Sequence, residues 1–217
     1  MSFTNLNEFY QTLGMVSSIR NKYDATTLQY NLDYRIITGR DAYYAPIGDK
    51  YKQFIMGHKE VLALPNKYNG CVVGFLLRPY DIKDFRYVSE FSIPYGAGYY
   101  DKPYDKPWII VESCLDADYL RQYYPYVIAT LGVTISNALQ DFVFNTAPYV
   151  YVGFDNDTAG DGGFKKMCFK HKGQVKKLTP PFGNKDFGDT LNHLYNGNMN
   201  QFMLEDMYIK TYLQSLI

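Results

Sequence analysis

The chain has 217 residues, 47% of them hydrophobic, 18% aromatic and 20% charged, with a formal net charge of zero. That length suits one domain or two small ones, enough to bury a core without staples, and the composition excludes a disordered chain. Balanced charge excludes a globally basic polyanion binder, so any nucleic-acid footprint must be a local patch.

The cysteines Cys71, Cys114 and Cys168 are far apart and form no C-x-x-C pair. This excludes a zinc ribbon and points to reduced, mostly buried thiols. The N-terminus lacks a basic-then-apolar signal pattern, and no apolar run approaches the ~20 residues of a membrane span. The expectation is a soluble, cytoplasmic protein with no membrane partner.

In chain order, residues 5–16 predict a helix with Leu6, Phe9, Tyr10 and Leu13 on one face. Residues 41–98 read as strand-rich. Within them, an apolar run from Val61 to Leu64, the turn signal Asn69-Gly70 and a second run from Cys71 to Leu77 predict a β-hairpin. A tandem Tyr-Asp-Lys-Pro falls at Tyr100 and again at Tyr104, the composition of an extended linker.

From Trp108 the pattern turns regular. Apolar strands at 108–111, 126–129 and 149–154 and a further strand at 175–178 alternate with helices at 116–123, 134–142, 160–171 and 187–195. The last twenty residues read as helix, with Phe202, Leu204, Met207, Tyr208 and Leu213 as apolar positions. Apolar strands alternating with helices imply an α/β fold, a parallel sheet covered on both faces. The expected organisation is an α+β subdomain over 1–98, a linker over 99–107, the α/β domain over 108–195 and a helical tail over 196–217.

Sites in such sheets form at the carboxyl ends of the strands. Three acidic groups fall there: Glu112 after the first strand, Asp155 and Asp157 after the third, Asp186 and Asp189 after the fourth. Taken singly, Asp157, Asp186 and Asp189 have the plainer reading of helix caps, and Glu112 that of a polar strand end. Converging carboxylates repel unless cations bridge them, and hard divalent ions suit oxygen ligands. Two such ions ~3.5–4 Å apart can hold both the attacking and leaving oxygens of a phosphoryl transfer.

The run Val111-Glu112-Ser113-Cys114-Leu115-Asp116-Ala117 resembles the first motif of Toprim domains, in which Asp follows Glu by four residues. Ser113 stands where the family usually has Gly. The turn Ala129-Thr130-Leu131-Gly132 resembles the second motif, and Phe154-Asp155-Asn156-Asp157-Thr158-Ala159-Gly160 the third. Gly183-Asn184-Lys185-Asp186-Phe187-Gly188-Asp189 is similar to the Gly-Lys-Asp-x-x-Asp element of bacterial-type primases, with Asn184 interposed. Upstream, Val73-Gly74-Phe75-Leu76-Leu77-Arg78 resembles the hydrophobic-Gly-Phe-x-x-Arg pattern of the same primases. Arg86-Tyr87-Val88-Ser89 is a looser counterpart of the Lys-Tyr-x-Asn-Ser stretch those primases carry next.

The resemblance implies a Toprim sheet preceded by a small α+β subdomain, and a primase: a DNA-directed RNA polymerase that lays down short primers on single-stranded DNA from ribonucleoside triphosphates. It assigns Glu112, Asp155 and Asp157 to catalysis and Glu112, Asp155, Asp157, Asp186 and Asp189 to two or more Mg²⁺ or Mn²⁺ ions, without zinc. Arg78, Arg86, Lys165, Lys166 and Lys185 are the implied nucleic-acid or nucleotide contacts. For the lysines of 165–177 a solvated helix face is the plainer reading, and for Tyr87 packing is plainer than base stacking. Such compact cores are typical of phages and mobile elements, with the replicative helicase and the template-selecting zinc protein as separate chains. The alternatives are a Toprim nuclease with the same metals and a non-catalytic replication or recombination factor.

Overall fold

The structure, a computed structural model, describes residues 3–15, 33–80, 88–90, 94–98 and 103–216. It divides into two compact units, Met1–Ile93 and Pro94–Ile217. The division falls just ahead of the Pro-rich stretch expected as the linker. No described helix is long and apolar enough to cross a membrane.

The first unit opens with α1 (Phe3–Thr12), whose Leu6 and Tyr10 are buried, Tyr10 stacking on Phe75 with ring centroids 5.4 Å apart. Its sheet is antiparallel and runs in chain order: β1 (Gly14–Met15), β2 (Arg35–Ile37), β3 (Val61–Tyr68), β4 (Cys71–Pro79) and β5 (Val88–Glu90). The expected hairpin is present. Asn69 (φ 47°) and Gly70 (φ 78°) both take the left-handed backbone that a tight two-residue turn requires, pairing Tyr68 with Cys71.

The strand-rich expectation for 41–98 needs correction, because α2 (Gly39–Tyr44) and α3 (Asp49–Met56) intervene. These helices are too short to show a helical period. Thr38 and Asp41 start α2 as a reciprocal capping box, and tertiary burial of Ala42 and Ile55 supports both helices. Cys71 is exposed, contrary to the mostly buried expectation, whereas Cys114 is buried.

The second unit carries a four-stranded parallel sheet of β6 (Trp108–Val111), β7 (Val127–Ala129), β8 (Val150–Gly153) and β9 (Val175–Lys177), in the order β7-β6-β8-β9. All residues of β6 and β8 are buried, as continuous apolar strands require. Trp108 is fully buried, and its indole N–H donates to Thr146 Oγ1 at 2.8 Å, so the ring buries its area without an orphaned donor.

The connecting helices are α4 (Cys114–Arg121), α5 (Asn137–Asn145), α6 (Thr158–Lys170) and α7 (Gly188–Tyr195). The C-terminal α8 (Met199–Gln214) packs on this unit through Phe202, Ile209 and Leu213, and its Asp206 accepts from Tyr119 Oη at 3.0 Å. In register, Val111 pairs with Gly153 and Val152 with Lys177. The chain therefore leaves β6, β8 and β9 at one rim.

Candidate active site

That rim holds the carboxylates. Glu112 follows β6 directly and is half-buried, and its backbone carbonyl accepts from Leu131 N–H at 2.9 Å. The second motif thus acts through its backbone. The turn reaches the strand end because Leu131 (φ 60°) and Gly132 (φ 137°) reverse the chain. Burial pushes the Glu112 carboxyl above the usual carboxylate range, and the charges of Asp155 and Asp157 push it further. The Asp155 backbone N–H and the Lys185 ammonium act the other way.

Asp155 and Asp157 have different duties. The Asp157 side chain caps α6, accepting from Gly160 N–H at 2.9 Å, so the cap reading of this residue is correct. It also remains 42% exposed, with Oδ2 3.9 Å from Lys185 Nζ. Asp155, 15% exposed, makes the closer pair with Lys185, at 2.9 Å. Gly160 is needed here because a Cβ would collide with the Asp155 carbonyl oxygen, so only glycine lets the helix begin this close to the acids.

After β9 a 3₁₀ turn (Pro181–Gly183) leads into the segment 184–188, which is stitched to the other strand ends. Asn156 N–H donates to Lys185 O at 2.6 Å, Lys185 Nζ reaches Asp155, and Gly188 N–H donates to Asp116 Oδ1 at 2.7 Å. Asp186, half-buried, lies in this segment.

Asp189 has both carboxylate oxygens engaged nearby, one by Lys185 N–H and one by the Asn192 amide, each at 2.9 Å. It closes the turn into α7.

Asp116 is the residue that sequence reasoning passed over as a functional side chain. It is 2% exposed and its carboxyl is pushed up to about 8, by burial first and then by the charge of Asp186. Its only signal was its place four residues after Glu112 in the first motif. Glu112 and Asp116 each feel Asp155, Asp157 or Asp186, so acids far apart in sequence share one electrostatic field.

Among the described residues, no three acidic, histidine or cysteine side chains form a ready-made metal cage. The donor chemistry nevertheless fits hard divalent cations: every available ligand is a carboxylate oxygen, and a lysine ammonium stands where positive charge is favoured. Asp155 raises the Lys185 ammonium above its ordinary range, mainly by direct hydrogen bonding.

The expected basic contacts lie on different elements. Lys185 faces the acids and is 60% exposed. Lys165 and Lys166 are exposed on α6, and Arg78 is half-buried on β4. Arg86 and Tyr87 lie outside the described residues. His193, read from the sequence as incidental, is bonded through Nδ1 to Glu205 at 2.9 Å.

A family model described as Toprim-like matches residues 109–191. No curated protein matches this chain. Among solved structures, a DnaG catalytic core is 14% identical, with a TM-score of 0.62, covering 92% of this chain and 79% of that one. A DnaG primase catalytic domain bound to single-stranded DNA is also 14% identical, with a TM-score of 0.59 and coverage of 93% and 78%. The zinc-binding and RNA polymerase domains of the Aquifex aeolicus primase match at 12% identity, with a TM-score of 0.60 and coverage of 99% and 68%. Residues 109–191 therefore form a Toprim-like domain, and the chain carries the fold of primase catalytic cores.

Proposed function

We propose that this protein is a primase-type nucleotidyltransferase that joins ribonucleotides into short RNA primers on a single-stranded DNA template. The observation that carries this reading is the gathering of Glu112, Asp116, Asp155, Asp157 and Asp186 into one field at one end of a parallel sheet, with Lys185 as their counter-cation. A binding module has no use for so costly an arrangement. The fold agrees with it, and one similar structure is a primase domain bound to single-stranded DNA.

In the reaction, the 3′-oxygen of one ribonucleotide bonds to the α-phosphorus of a ribonucleoside triphosphate and loses its proton, while the bond to the β-phosphate breaks and pyrophosphate leaves. Mg²⁺ or Mn²⁺, when bound, neutralises phosphate charge and lowers the pKa of the attacking hydroxyl. Asp155, Asp157 and Asp186 supply oxygen ligands. Glu112, its carboxyl raised by burial and two neighbouring acids, is the candidate acceptor of the hydroxyl proton. Asp116 holds Gly188 through its carboxyl oxygen.

Lys185 is exposed enough to exchange its carboxylate partners for a triphosphate. Exposed Lys165 and Lys166, with Arg78 and Arg86, are proposed to guide nucleic-acid phosphates. On this reading the partners are single-stranded DNA, a replicative helicase and a zinc-bearing template selector, in a cytoplasmic setting that includes the host of a phage.

The test is direct. Purified protein is incubated with single-stranded DNA, labelled ribonucleotides and Mg²⁺ or Mn²⁺. Short RNA products support the proposal. Shortened template in their place would make the protein a nuclease, and the absence of both products would contradict an enzymatic reading of the rim.

A further inference from the structure

Glu205 lies on α8, outside every motif, yet its carboxylate is fully buried. A buried carboxylate persists only where donors surround it, and three do. Asn184 Nδ2 donates at 2.9 Å, His193 Nδ1 lies at 2.9 Å, and Gln201 Nε2 completes the set. His193 belongs to α7, so its contact joins α7 to α8, whereas Gln201 lies one turn from Glu205 on α8 itself.

The third contact has a different reach. Asn184 is the residue interposed between Gly183 and Lys185. It is followed at once by Lys185, which contacts Asp155 and Asp157, and then by Asp186, whose charge acts on Asp116. Its carrier loop leaves the 3₁₀ turn through two left-handed residues, Phe182 (φ 54°) and Gly183 (φ 80°). A non-glycine residue in that conformation persists only when its surroundings over-determine it.

We infer that Glu205, acting through the Asn184 amide, is a positioning residue that sets the Lys185–Asp186 segment against the acidic rim and so tunes the rim's affinity for divalent cations. This rests on the proposal that the rim takes such cations. It does not depend on the protein making primers. Partners behind metal ligands typically govern affinity by about ten- to a hundredfold.

The experiment uses Mn²⁺ alone with the full chain, its binding followed by the loss of the free-ion spin-resonance signal, alongside thermal unfolding of each variant. Asn184→Ala is expected to weaken Mn²⁺ binding about tenfold with little change in unfolding temperature. Asn184→Asp, which sets a carboxylate against Glu205, should weaken it more. Adding Glu205→Gln to that variant reverses the donor and acceptor, and should restore affinity to within about twofold of the unaltered chain.

A purely structural contact would lower the unfolding temperature and leave Mn²⁺ affinity alone, and that result would overturn the inference. So would unchanged affinity in Asn184→Ala, absence of rescue in the swapped pair, or a wild-type chain that takes no Mn²⁺. Mn²⁺ binding by a chain that makes no RNA would refute the primase proposal and leave this one standing.

Discussion

The two sheets of this molecule handle their strand ends in opposite ways. In the antiparallel sheet of the first unit, successive strands run in opposite directions, so successive strand ends fall on opposite edges. The parallel sheet of the second unit sends every strand the same way. Residues 112, 155 and 186 thereby emerge at one rim although dozens of positions separate them. The first arrangement builds a stable hairpin platform, and the second builds charge density. The lesson is that topology, more than local composition, turns a chain of zero net charge into one with a concentrated anionic site.

If the contrast is real, changes at the parallel rim should affect chemistry while sparing the fold. Asp155→Asn is expected to cut primer synthesis by at least about a hundredfold without lowering the unfolding temperature, since it removes a charge that repels Glu112 and Asp116. Product assays with parallel calorimetry check this. Persistent synthesis in that variant would remove the acidic rim from the reaction.

A cation that binds only the native rim must also stabilise it. At a hundred times its dissociation constant, Mg²⁺ or Mn²⁺ should add about 2.7 kcal/mol, an increase in unfolding temperature of several degrees that EDTA reverses and Asp155→Asn abolishes.

A pH-dependent effect comes from Asp116. Its carboxyl titrates near 3.8 when unperturbed and about 8 in the fold. Between those values the native state keeps a proton that the unfolded chain has released, so stability must fall as pH rises through that window. Unfolding temperatures measured in EDTA from pH 5 to 8.5 should decline, and Asp116→Asn, which keeps an oxygen for Gly188 N–H, should flatten the slope. A rise over that range in the unaltered protein would place the charge differently.

The smallest change belongs to the other sheet. Gly70→Ala forces a side chain into a left-handed turn and should cost about 1 kcal/mol, with no change in Mn²⁺ affinity. An effect on metal binding there would blur the separation between the two sheets.

Much of the second unit was legible because Trp108, Val150 and their neighbours form unbroken apolar runs, and buried parallel strands leave few other readings. Glu112 and Asp155 were legible because each sits just past such a run, and Asp186 because it falls in the Gly183–Asp189 element that resembles primases. The first unit was harder. Its helices Gly39–Tyr44 and Asp49–Met56 span under three turns and are supported by tertiary packing, which leaves no period to detect. Asp189 shares an element with Asp186, and its hydrogen bonds from Lys185 and Asn192, which close the turn, carry no signal in the sequence. Glu205 could not have been found, because its partner Asn184 is twenty-one residues away and no periodicity encodes a polar contact at that separation.

Crystals grown with Mn²⁺ and measured at its absorption edge address the acidic rim most directly. Anomalous density should appear against Asp155, Asp157 and Asp186, with Lys185 displaced from Asp155. Manganese bound elsewhere, or none while Lys185 keeps its carboxylates, would contradict a shared cation site at the end of this sheet.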